Sequence, residues 1–319
     1  PFHYQPGQFL TLILPINKKE TRRSYSLCTS PFSDENPAIT VKRVASGVVS
    51  NYLNDHMKPG DTFEVMEAAG HFVAKVGADQ KKKYVLFAAG SGITPIMSII
   101  KSILTVEPES DITLVYQNRN EDSIIFRKEL AEIKNKFSGR FTQVDLLSQP
   151  SENWKGQKGR INAPIIHESL KTAGIKNMET AEYFLCGPAG FMQTVHDVLI
   201  EMKAPEHNIH KESFYSGETN ATAKITDETA FDVEMILDGE SYNVHVPAKK
   251  SILDAALDQG LDMPFSCQSG FCTACRGKLL EGKVEMNEDE GLSEEEKEEG
   301  YILNCVSHPS GPGVKIEVG

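Results

Sequence analysis

The stretch Lys81–Pro95, KKKYVLFAAGSGITP, predicts the fold of the middle of the chain. An apolar run enters a glycine-rich turn, and the PIMSIIKSIL that overlaps its end has apolar residues at helical spacing. Gly90 and Gly92 allow a phosphate to approach the backbone closely, and the N-terminus of a helix favours negative charge. The stretch is therefore predicted to be a strand, a turn and a helix that bind a pyrophosphate.

The same order recurs twice. DITLVYQNR (111–119) precedes the helical pattern SIIFRKELAEIKNKF (123–137), and AEYFLCGPAG (181–190) precedes FMQTVHDVLIEM (191–202). Alternating strands and helices predict a doubly wound parallel sheet with a nucleotide at the carboxyl ends of its strands. We assign residues 78–215 to an α/β NAD(P)-binding domain.

The flanking regions differ from this pattern. Residues 1–77 contain the β-prone runs QFLTLILPI (8–16), AITVKRV (38–44) and DTFEVMEA (61–68), which predict an antiparallel barrel or sandwich. Residues 216–229 are polar and rich in Thr, as expected of an interdomain linker. Residues 230–319 then form a third unit.

Charge and hydropathy exclude several classes of function. The net charge is −12, and the residues from Phe231 onward carry 18 acidic and 7 basic side chains, which is −11 of that total. Nucleic acid is therefore not expected as a partner, and the acidic surface serves either solubility or docking. The sequence has no apolar run long enough to span a membrane and no signal peptide, so we expect a cytoplasmic protein. It begins without Met, directly in a strand-like pattern, which suggests that an N-terminal piece is absent.

Four of the six cysteines lie near the C-terminus. Cys267, Cys272 and Cys275 have C-x4-C-x2-C spacing in a loop of small residues, and Cys305 follows at a distance. This is the spacing of plant-type [2Fe–2S] ligands, in which four thiolates reach two irons. Structural zinc more often takes two close pairs of ligands, and the clustering disfavours disulfides. The cysteines are therefore predicted to bind a [2Fe–2S] cluster, with zinc or disulfides as the alternatives.

The residues around this loop carry a family resemblance. ESYNVHVPAKKSILDAALDQGLDMPFSCQSGFCTACRGKLLEGKVEM, followed by GYILNC, resembles a plant-type ferredoxin domain. The resemblance covers the whole of residues 230–319 and implies the α+β fold called β-grasp.

The N-terminal region resembles a second family. In RRSYSLCTSP, Arg23-x-Tyr25-Ser26 is similar to the R-x-Y-S motif of ferredoxin–NADP reductase-like flavoproteins, which have an antiparallel β-barrel. The resemblance implies that Arg23 pairs with the FAD pyrophosphate, that Tyr25 packs on the isoalloxazine, and that Ser26 donates to its N5/O4 edge. Alone, the motif is weak, and strand packing would also explain Tyr25.

GVVSNYL, which begins at Gly47, follows at the distance typical of that family. A helix that starts there would offer its first backbone N–H groups to the pyrophosphate. The residues concerned are Gly47, Val48, Val49 and Ser50.

Two further motifs resemble the nicotinamide site of the same family. Gly90, Gly92 and Pro95 form G-x-G-x-x-P, which implies that Thr94 lies near the nicotinamide. CGPAGFM resembles the C-G-P motif, in which Cys186 lies beside the nicotinamide C4 and flavin N5 and is followed by Gly187. For an isolated cysteine, inert core packing would be the simpler interpretation.

In HKESF, Glu212-x-Phe214 resembles the Glu-x-aromatic ending of the family, in which the acid exchanges protons near the flavin. Ser26, Cys186 and Glu212 are the predicted catalytic residues, and Phe214 is a predicted flavin contact. The chain continues past Phe214, unlike reductases that end there.

Coenzyme choice depends on the residues that follow the second strand. Arg119 stands where the family contacts a 2′-phosphate, and Arg127 is a second cation, whereas Glu121 and Asp122 would suit the 2′-OH of NADH. We predict NADPH, with NADH as the alternative.

The order of domains resembles most the reductase component of the phenylacetyl-CoA epoxidase system, which serves aromatic-compound catabolism. This resemblance implies FAD, NADPH and one [2Fe–2S] cluster, with electrons passed to a separate diiron oxygenase component. The alternatives are an NADH-dependent reductase for another hydroxylase or dioxygenase, a flavin and iron–sulfur carrier that oxidises no pyridine nucleotide, and a zinc-stabilised interaction protein.

Overall fold

The computed structural model describes residues 2–16, 19–214, 229–268, 270–287, 289 and 291–318. The predicted linker, 216–229, lies outside the described residues except for Thr229. The described residues divide into two compact units. Unit 1 comprises those of segments 1–10, 25–57 and 72–214, and unit 2 comprises those of segments 11–24, 58–71 and 215–319.

The elements up to residue 214 are β1 (Phe9–Ile16), β2 (Lys19–Ser26), α1 (Val48–His56), β3 (Glu64–Val65), β4 (Lys83–Ala89), α2 (Ile93–Val106), β5 (Asp111–Asn118), α3 (Arg127–Lys136), β6 (Phe141–Leu147), β7 (Gln157–Lys158), α4 (Ala163–Thr172), β8 (Ala181–Cys186), α5 (Ala189–Glu201) and β9 (Ile209–Glu212). Those from residue 229 onward are β10 (Phe231–Leu237), β11 (Glu240–Val246), α6 (Ile252–Asp258), β12 (Arg276–Glu281), β13 (Val284–Met286), α7 (Glu294–Glu298), β14 (Tyr301–Leu303), β15 (Ser307–Pro309) and β16 (Val314–Val318).

Unit 1 is built on a six-stranded sheet in the order β7-β6-β5-β4-β8-β9. Every strand pair in it is parallel. β4 is buried from Tyr84 to Ala89, as expected when helices cover both faces of a parallel sheet. One buried cluster contains the apolar side chains of α2, and another contains those of α4 and α5. The doubly wound prediction is confirmed.

The strand order places a topological switch point between β4 and β8. The chain proceeds from β4 through β5 and β6 to β7 on one side, and then returns to add β8 and β9 on the other. In open α/β sheets, ligands bind outside the carboxyl ends of the strands at such a point. The loops after Ala89 and Cys186 therefore define where a coenzyme is expected.

Unit 2 contains a five-stranded mixed sheet in the order β11-β10-β16-β12-β14 and a two-stranded sheet of β13 and β15. The fully buried Ile252 and Ala256 of α6 pack with Val233, Met235 and Ile316 of the large sheet. The Ser251 side chain caps α6 by accepting a hydrogen bond from Asp254 N–H. This α+β arrangement confirms the predicted β-grasp architecture.

The N-terminal region forms fewer strand pairs than the sequence predicts. β2, β1 and β3 form a three-stranded sheet, and the described strands do not close into a barrel. The β-prone run 38–44 contributes one isolated bridge, between Leu27 and Ile39, and β3 is two residues long. Lys42, Arg43 and Val44 are exposed, so this run has no buried face to hold it in a sheet.

Candidate functional site

The switch point brings two loops of unit 1 into close contact. Gly90–Gly92 form one 3-10 turn after β4, with Gly90 in the left-handed region at φ +56°. A Cβ on Gly92 would lie 2.1 Å from the carbonyl oxygen of Cys186. A Cβ on Gly187 would lie 2.9 Å from the Cβ of Ala89. The glycines of both predicted motifs are therefore needed because the loops touch.

The helix α2 starts immediately after this turn. Thr94 and Pro95, in its first turn, are buried, and the Thr94 hydroxyl donates to Ser91 O across 3.0 Å. The N-terminus of this 14-residue helix has N–H groups that its own hydrogen-bond ladder does not use. The turn and the helix thus have the geometry that suits a pyrophosphate, and its binding there stays a prediction.

The three predicted catalytic residues lie close together in unit 1. Cys186 is the last residue of β8 and Glu212 the last of β9, and the two are paired in register. The Ser26 hydroxyl donates to Oε2 of Glu212 at 3.4 Å. All three residues are buried. The Ser26 hydroxyl therefore meets the Glu212 carboxyl at the carboxyl ends of β8 and β9, and Cys186 is paired beside Glu212 at the end of β8, which borders the switch point.

Lys42 is a residue that sequence reasoning missed. A Cβ on Gly90 would lie 3.3 Å from Nζ of Lys42, so the ammonium group lies beside the turn that is predicted to bind a pyrophosphate. The side chain is exposed and belongs to a run predicted to be a strand. No local pattern links Lys42 to Gly90, because only the fold brings them together.

The predicted flavin contacts take the expected secondary structure. Arg23 and Tyr25 lie on β2 and are half-buried; Tyr25 and Ser26 belong to unit 1 and Arg23 to unit 2. The helix α1 begins at Val48 with Gly47 as its N-cap. The hydroxyl of Ser50 accepts a hydrogen bond from Val44 N–H at 3.2 Å.

The first-turn N–H groups of α1, from Val48 to Ser50, are those that a helix leaves outside its own ladder. They fit a diphosphate. Phe214 differs from the other predicted contacts, because its side chain is 45% exposed.

The predicted coenzyme-selecting residues lie beyond the carboxyl end of β5. Arg119 follows the strand, Arg127 begins α3, and both are exposed. The Glu121 carboxylate accepts two hydrogen bonds from Ser151, one from the hydroxyl at 2.6 Å and one from the backbone N–H at 3.1 Å. These hydrogen bonds, with the charge of Arg127, lower the pKa of Glu121.

Asn118, the last residue of β5, is buried, and neither its amide oxygen nor its amide nitrogen has a partner among the described residues. Buried polar groups are usually hydrogen-bonded. The Asn118 amide, at the carboxyl end of β5 next to Arg119, is therefore available to hydrogen-bond a polar ligand.

The four C-terminal cysteines are buried free thiols. Cys267 and Cys272 contact each other with their sulfurs 3.2 Å apart. Hydrogen bonding with Cys267 and then Cys275 raises the pKa of the Cys305 thiol, so this distant cysteine joins the loop. Among the side chains that the structure describes, no group of three or more His, Cys, Asp or Glu has the arrangement of a single-ion site. Four converging thiols are the donor set of a two-iron cluster.

The loop that carries these cysteines is held by tight backbone packing. Gly270 has φ +79° and Gln268 has φ +53°. A Cβ on Gly291 would lie 2.7 Å from Gly270 O, and Gly291 N–H donates to the same oxygen at 2.8 Å. Asn304 donates from its side chain to Cys275 O at 2.9 Å. Gly291 and Asn304 thus support the loop of the predicted ligands; Asn304 belongs to the GYILNC stretch, whereas Gly291 stands in no quoted motif.

Comparisons with known proteins agree with these three regions. Residues 1–73 match an oxidoreductase FAD-binding domain, 86–197 an oxidoreductase NAD-binding domain, and 235–310 a 2Fe-2S iron-sulfur cluster binding domain. The chain is an oxidoreductase and belongs to the family of reductase components that combine these three domains.

Two relatives are similar to nearly the whole chain. The ferredoxin reductase component of 3-ketosteroid-9-alpha-monooxygenase from Rhodococcus rhodochrous is 41% identical, over 99% of this chain and 88% of that protein. One of the subunits of 1,2-phenylacetyl-CoA epoxidase from Escherichia coli is 36% identical, over 99% of this chain and 89% of that protein. The family resemblance read from the motifs is thereby confirmed.

Phthalate dioxygenase reductase, described as a modular structure for electron transfer from pyridine nucleotides to [2Fe-2S], has the same fold. It aligns with a TM-score of 0.63 and 26% identity over 100% of this chain and 88% of that one. Within the described ranges, no helix is both long and apolar enough to cross a membrane.

Proposed function

We propose that the chain carries electrons from NADPH through FAD and a [2Fe–2S] cluster to a separate oxygenase component. The observation that carries this proposal is the convergence of Ser26, Cys186 and Glu212 beside Gly92 at the switch point. In this proposal 1–77 binds FAD, 78–215 binds the coenzyme, 216–229 links the domains and 230–319 holds the cluster.

The chemistry belongs to the bound groups: the coenzyme supplies a hydride, the flavin accepts two electrons, and the cluster takes one at a time. The chain positions them. Gly90, Gly92 and the first turn of α2 bind the coenzyme pyrophosphate, with Lys42 as a further cation. Arg23 and the first turn of α1 bind the FAD pyrophosphate, and Tyr25 covers the flavin ring. Cys267, Cys272, Cys275 and Cys305 ligate iron.

The buried triplet acts at the reacting ends of the coenzyme and flavin. Ser26 donates a hydrogen bond to the flavin edge or to Glu212, and these two acceptors compete for one hydroxyl proton. Glu212 holds or releases a proton beside the flavin. Cys186 fills the space where the nicotinamide meets the flavin and excludes water there.

NADPH fits the coenzyme site better than NADH. Arg119 and Arg127 are exposed cations that suit a 2′-phosphate, whereas Glu121, which would read the 2′-OH, is already occupied by Ser151. Asn118 offers its unpartnered amide to the adjoining part of the coenzyme.

For the acceptor, we propose a diiron oxygenase of the phenylacetyl-CoA epoxidase type, in line with the 36% identity to a component of that epoxidase. The 41% identity to a 3-ketosteroid-9-alpha-monooxygenase component supports a second candidate, a hydroxylase of that kind.

Reconstitution tests both. Purified reductase is mixed with the oxygenase of each system, and substrate-dependent NADPH oxidation and product are measured. The proposal expects product with the epoxidase; product with the steroid hydroxylase alone would favour the second acceptor, and product with neither would contradict both assignments.

A cysteine variant tests the cluster. Cys305→Ser should abolish product while NADPH still bleaches the flavin. Cys28→Ala, which lies outside the predicted ligand set, should keep both product formation and flavin bleaching.

A further inference from the structure

Within unit 2, Phe265 and Ser266, at the start of the loop that carries the predicted cluster ligands (the cluster loop), contact the parts of β1 and β2 that belong to this unit. The Arg22 guanidinium carbon lies 4.1 Å from the ring centroid of Phe265, and Arg22 Nη1 donates to Phe265 O at 2.7 Å. Glu20 binds the other edge of the guanidinium, since Nε and Nη2 both contact its Oε1 at 2.8 Å. Arg22 is therefore fixed by a carboxylate, a carbonyl and an aromatic ring.

A chain of hydroxyl groups makes a second contact between the same segments. Thr11 Oγ1 lies 2.9 Å from Ser24 Oγ and 2.8 Å from Ser266 Oγ. Thr11 is 1% exposed and Ser266 is 6% exposed. A buried hydroxyl group without a hydrogen-bond partner lowers the stability of the fold. Removing one of these three hydroxyls therefore also takes a hydrogen bond from its neighbour. Two independent contacts thus join residues 265–266 to β1 and β2.

The position of these contacts in the sequence gives them a role. Phe265 and Ser266 immediately precede Cys267, the first predicted iron ligand, and Arg22 immediately precedes Arg23, the predicted FAD pyrophosphate contact. The contact therefore connects the neighbour of a predicted FAD contact to the neighbours of a predicted iron ligand, and neither Arg22 nor Phe265 is itself a predicted ligand. Arg22 also brings positive charge to the most acidic part of the chain.

We propose that Thr11, Arg22, Ser24, Phe265 and Ser266 form a loop seat, which holds the cluster loop on the flavin-binding strands for internal electron transfer. In that step one electron leaves reduced FAD and enters the oxidised cluster; no bond or proton changes at the seat. Arg22 is a positioning residue. The inference rests on the proposed function, because it requires flavin and cluster to exchange electrons.

Two measurements on the FAD- and iron-loaded full chain test the seat. Hydrogen–deuterium exchange reports the protection of backbone amides in residues 20–24 and 265–268. Anaerobic stopped-flow spectroscopy separates flavin reduction by NADPH from the later reduction of the cluster. In Arg22→Ala we expect faster exchange in both segments, unchanged flavin reduction, and cluster reduction about tenfold slower, which corresponds to loss of one charged contact.

Three further variants make the outcome decisive. Phe265→Leu removes the stack without touching β2, and Thr11→Val removes only a hydroxyl; both should slow the cluster step. Arg43→Ala, which breaks the exposed ion pair of Arg43 with Asp55 in unit 1, is the matched control and should change neither readout. If Arg22→Ala no longer binds FAD, the rate of cluster reduction in Phe265→Leu decides whether the contact positions the loop.

Unchanged exchange and unchanged cluster reduction in Phe265→Leu and Thr11→Val would overturn the seat. Failure of NADPH to bleach the flavin in the unmodified protein would instead overturn the proposed function, so the two failures are distinguishable.

Discussion

Ser26 and Glu212 lie 186 positions apart in the sequence, and the hydroxyl of the first donates to the carboxylate of the second at 3.4 Å in a buried site. Glu212 is in turn paired in register with Cys186. This link joins the end of β2, where the R-x-Y-S motif lies, to β8, which borders the switch point, and to β9, the next strand. The Glu212 carboxyl, which is proposed to exchange protons, thus lies beside Cys186 at the ends of β8 and β9.

Loss of the Glu212 carboxyl should slow flavin reduction more than loss of the Ser26 hydroxyl. Glu212→Gln keeps the shape but removes proton exchange, and we expect a decrease of about 10²-fold. Ser26→Ala removes one hydrogen bond, worth about 1 kcal/mol, which gives a decrease of about fivefold. Anaerobic stopped-flow absorbance with NADPH measures both. Wild-type rates in the two variants would contradict the proposed roles.

A methyl group on Gly92 should separate the two loops at the switch point. Its Cβ would lie 2.1 Å from Cys186 O, so Gly92→Ala forces the backbone to shift, at a cost of about 1–3 kcal/mol. We expect a lower melting temperature and a raised KM for NADPH. Gly139→Ala is the matched control, because nothing lies within 4 Å of a Cβ there. Equal behaviour of the two variants would show that the close approach is not needed.

Coenzyme choice should depend on Arg119 and Arg127 and not on Lys42. Replacing either arginine by Ala should lower kcat/KM for NADPH about tenfold, which is about 1.4 kcal/mol, and leave the value for NADH nearly unchanged. Lys42→Ala should raise KM for both coenzymes alike, because it stands beside the turn proposed to bind their shared pyrophosphate. The exposed Lys128, next to Arg127, provides a control in Lys128→Ala. Equal losses for both coenzymes in the arginine variants would contradict a contact of these arginines with the 2′-phosphate.

Acid should remove one stabilising interaction behind the site. The hydrogen bond from His210, and then that from Lys82, lowers the pKa of Glu182 from 4.5 to about 2. The stabilisation is therefore complete above pH 4.5 and is lost as pH falls toward 2. Because the Glu182 side chain is partly exposed, we assign its interactions with His210 and Lys82 a stabilisation of about 1 kcal/mol. This corresponds to a change in melting temperature of about 2–4 °C.

Glu182→Gln should accordingly melt lower than the unmodified protein at pH 7, and the difference should shrink by pH 3. Thermal unfolding followed by circular dichroism at several pH values checks this. The exposed Glu179, which is close in sequence, supplies the control Glu179→Gln. A difference that grows as pH falls would have the wrong sign for a lowered carboxyl pKa.

The sequence predicts those parts of the molecule that depend on local chemistry. The turn at Gly90–Gly92, the helix start after Gly47 and the cysteine loop each need particular residue types at fixed spacing, so all three could be identified without a structure. The run 38–44 was predicted as β-prone because its residues favour strands, yet strand formation also needs a buried face and a partner.

Long-range contacts are the part that could not be predicted. Lys42 beside Gly90, Gly291 against Gly270, and Arg22 on Phe265 each join residues far apart in sequence that share no motif. The prediction of NADPH keeps NADH as its alternative for the same reason, because the hydrogen bonds from Ser151 to Glu121 depend on the fold.

Electrons from NADPH are proposed to reach first the flavin and then the cluster of this chain. An anaerobic titration with NADPH, followed by visible absorption and electron paramagnetic resonance, tests it most directly. We expect bleaching of flavin absorbance together with the signal of a reduced [2Fe–2S] centre. A flavin that is reduced while the cluster stays oxidised would contradict it.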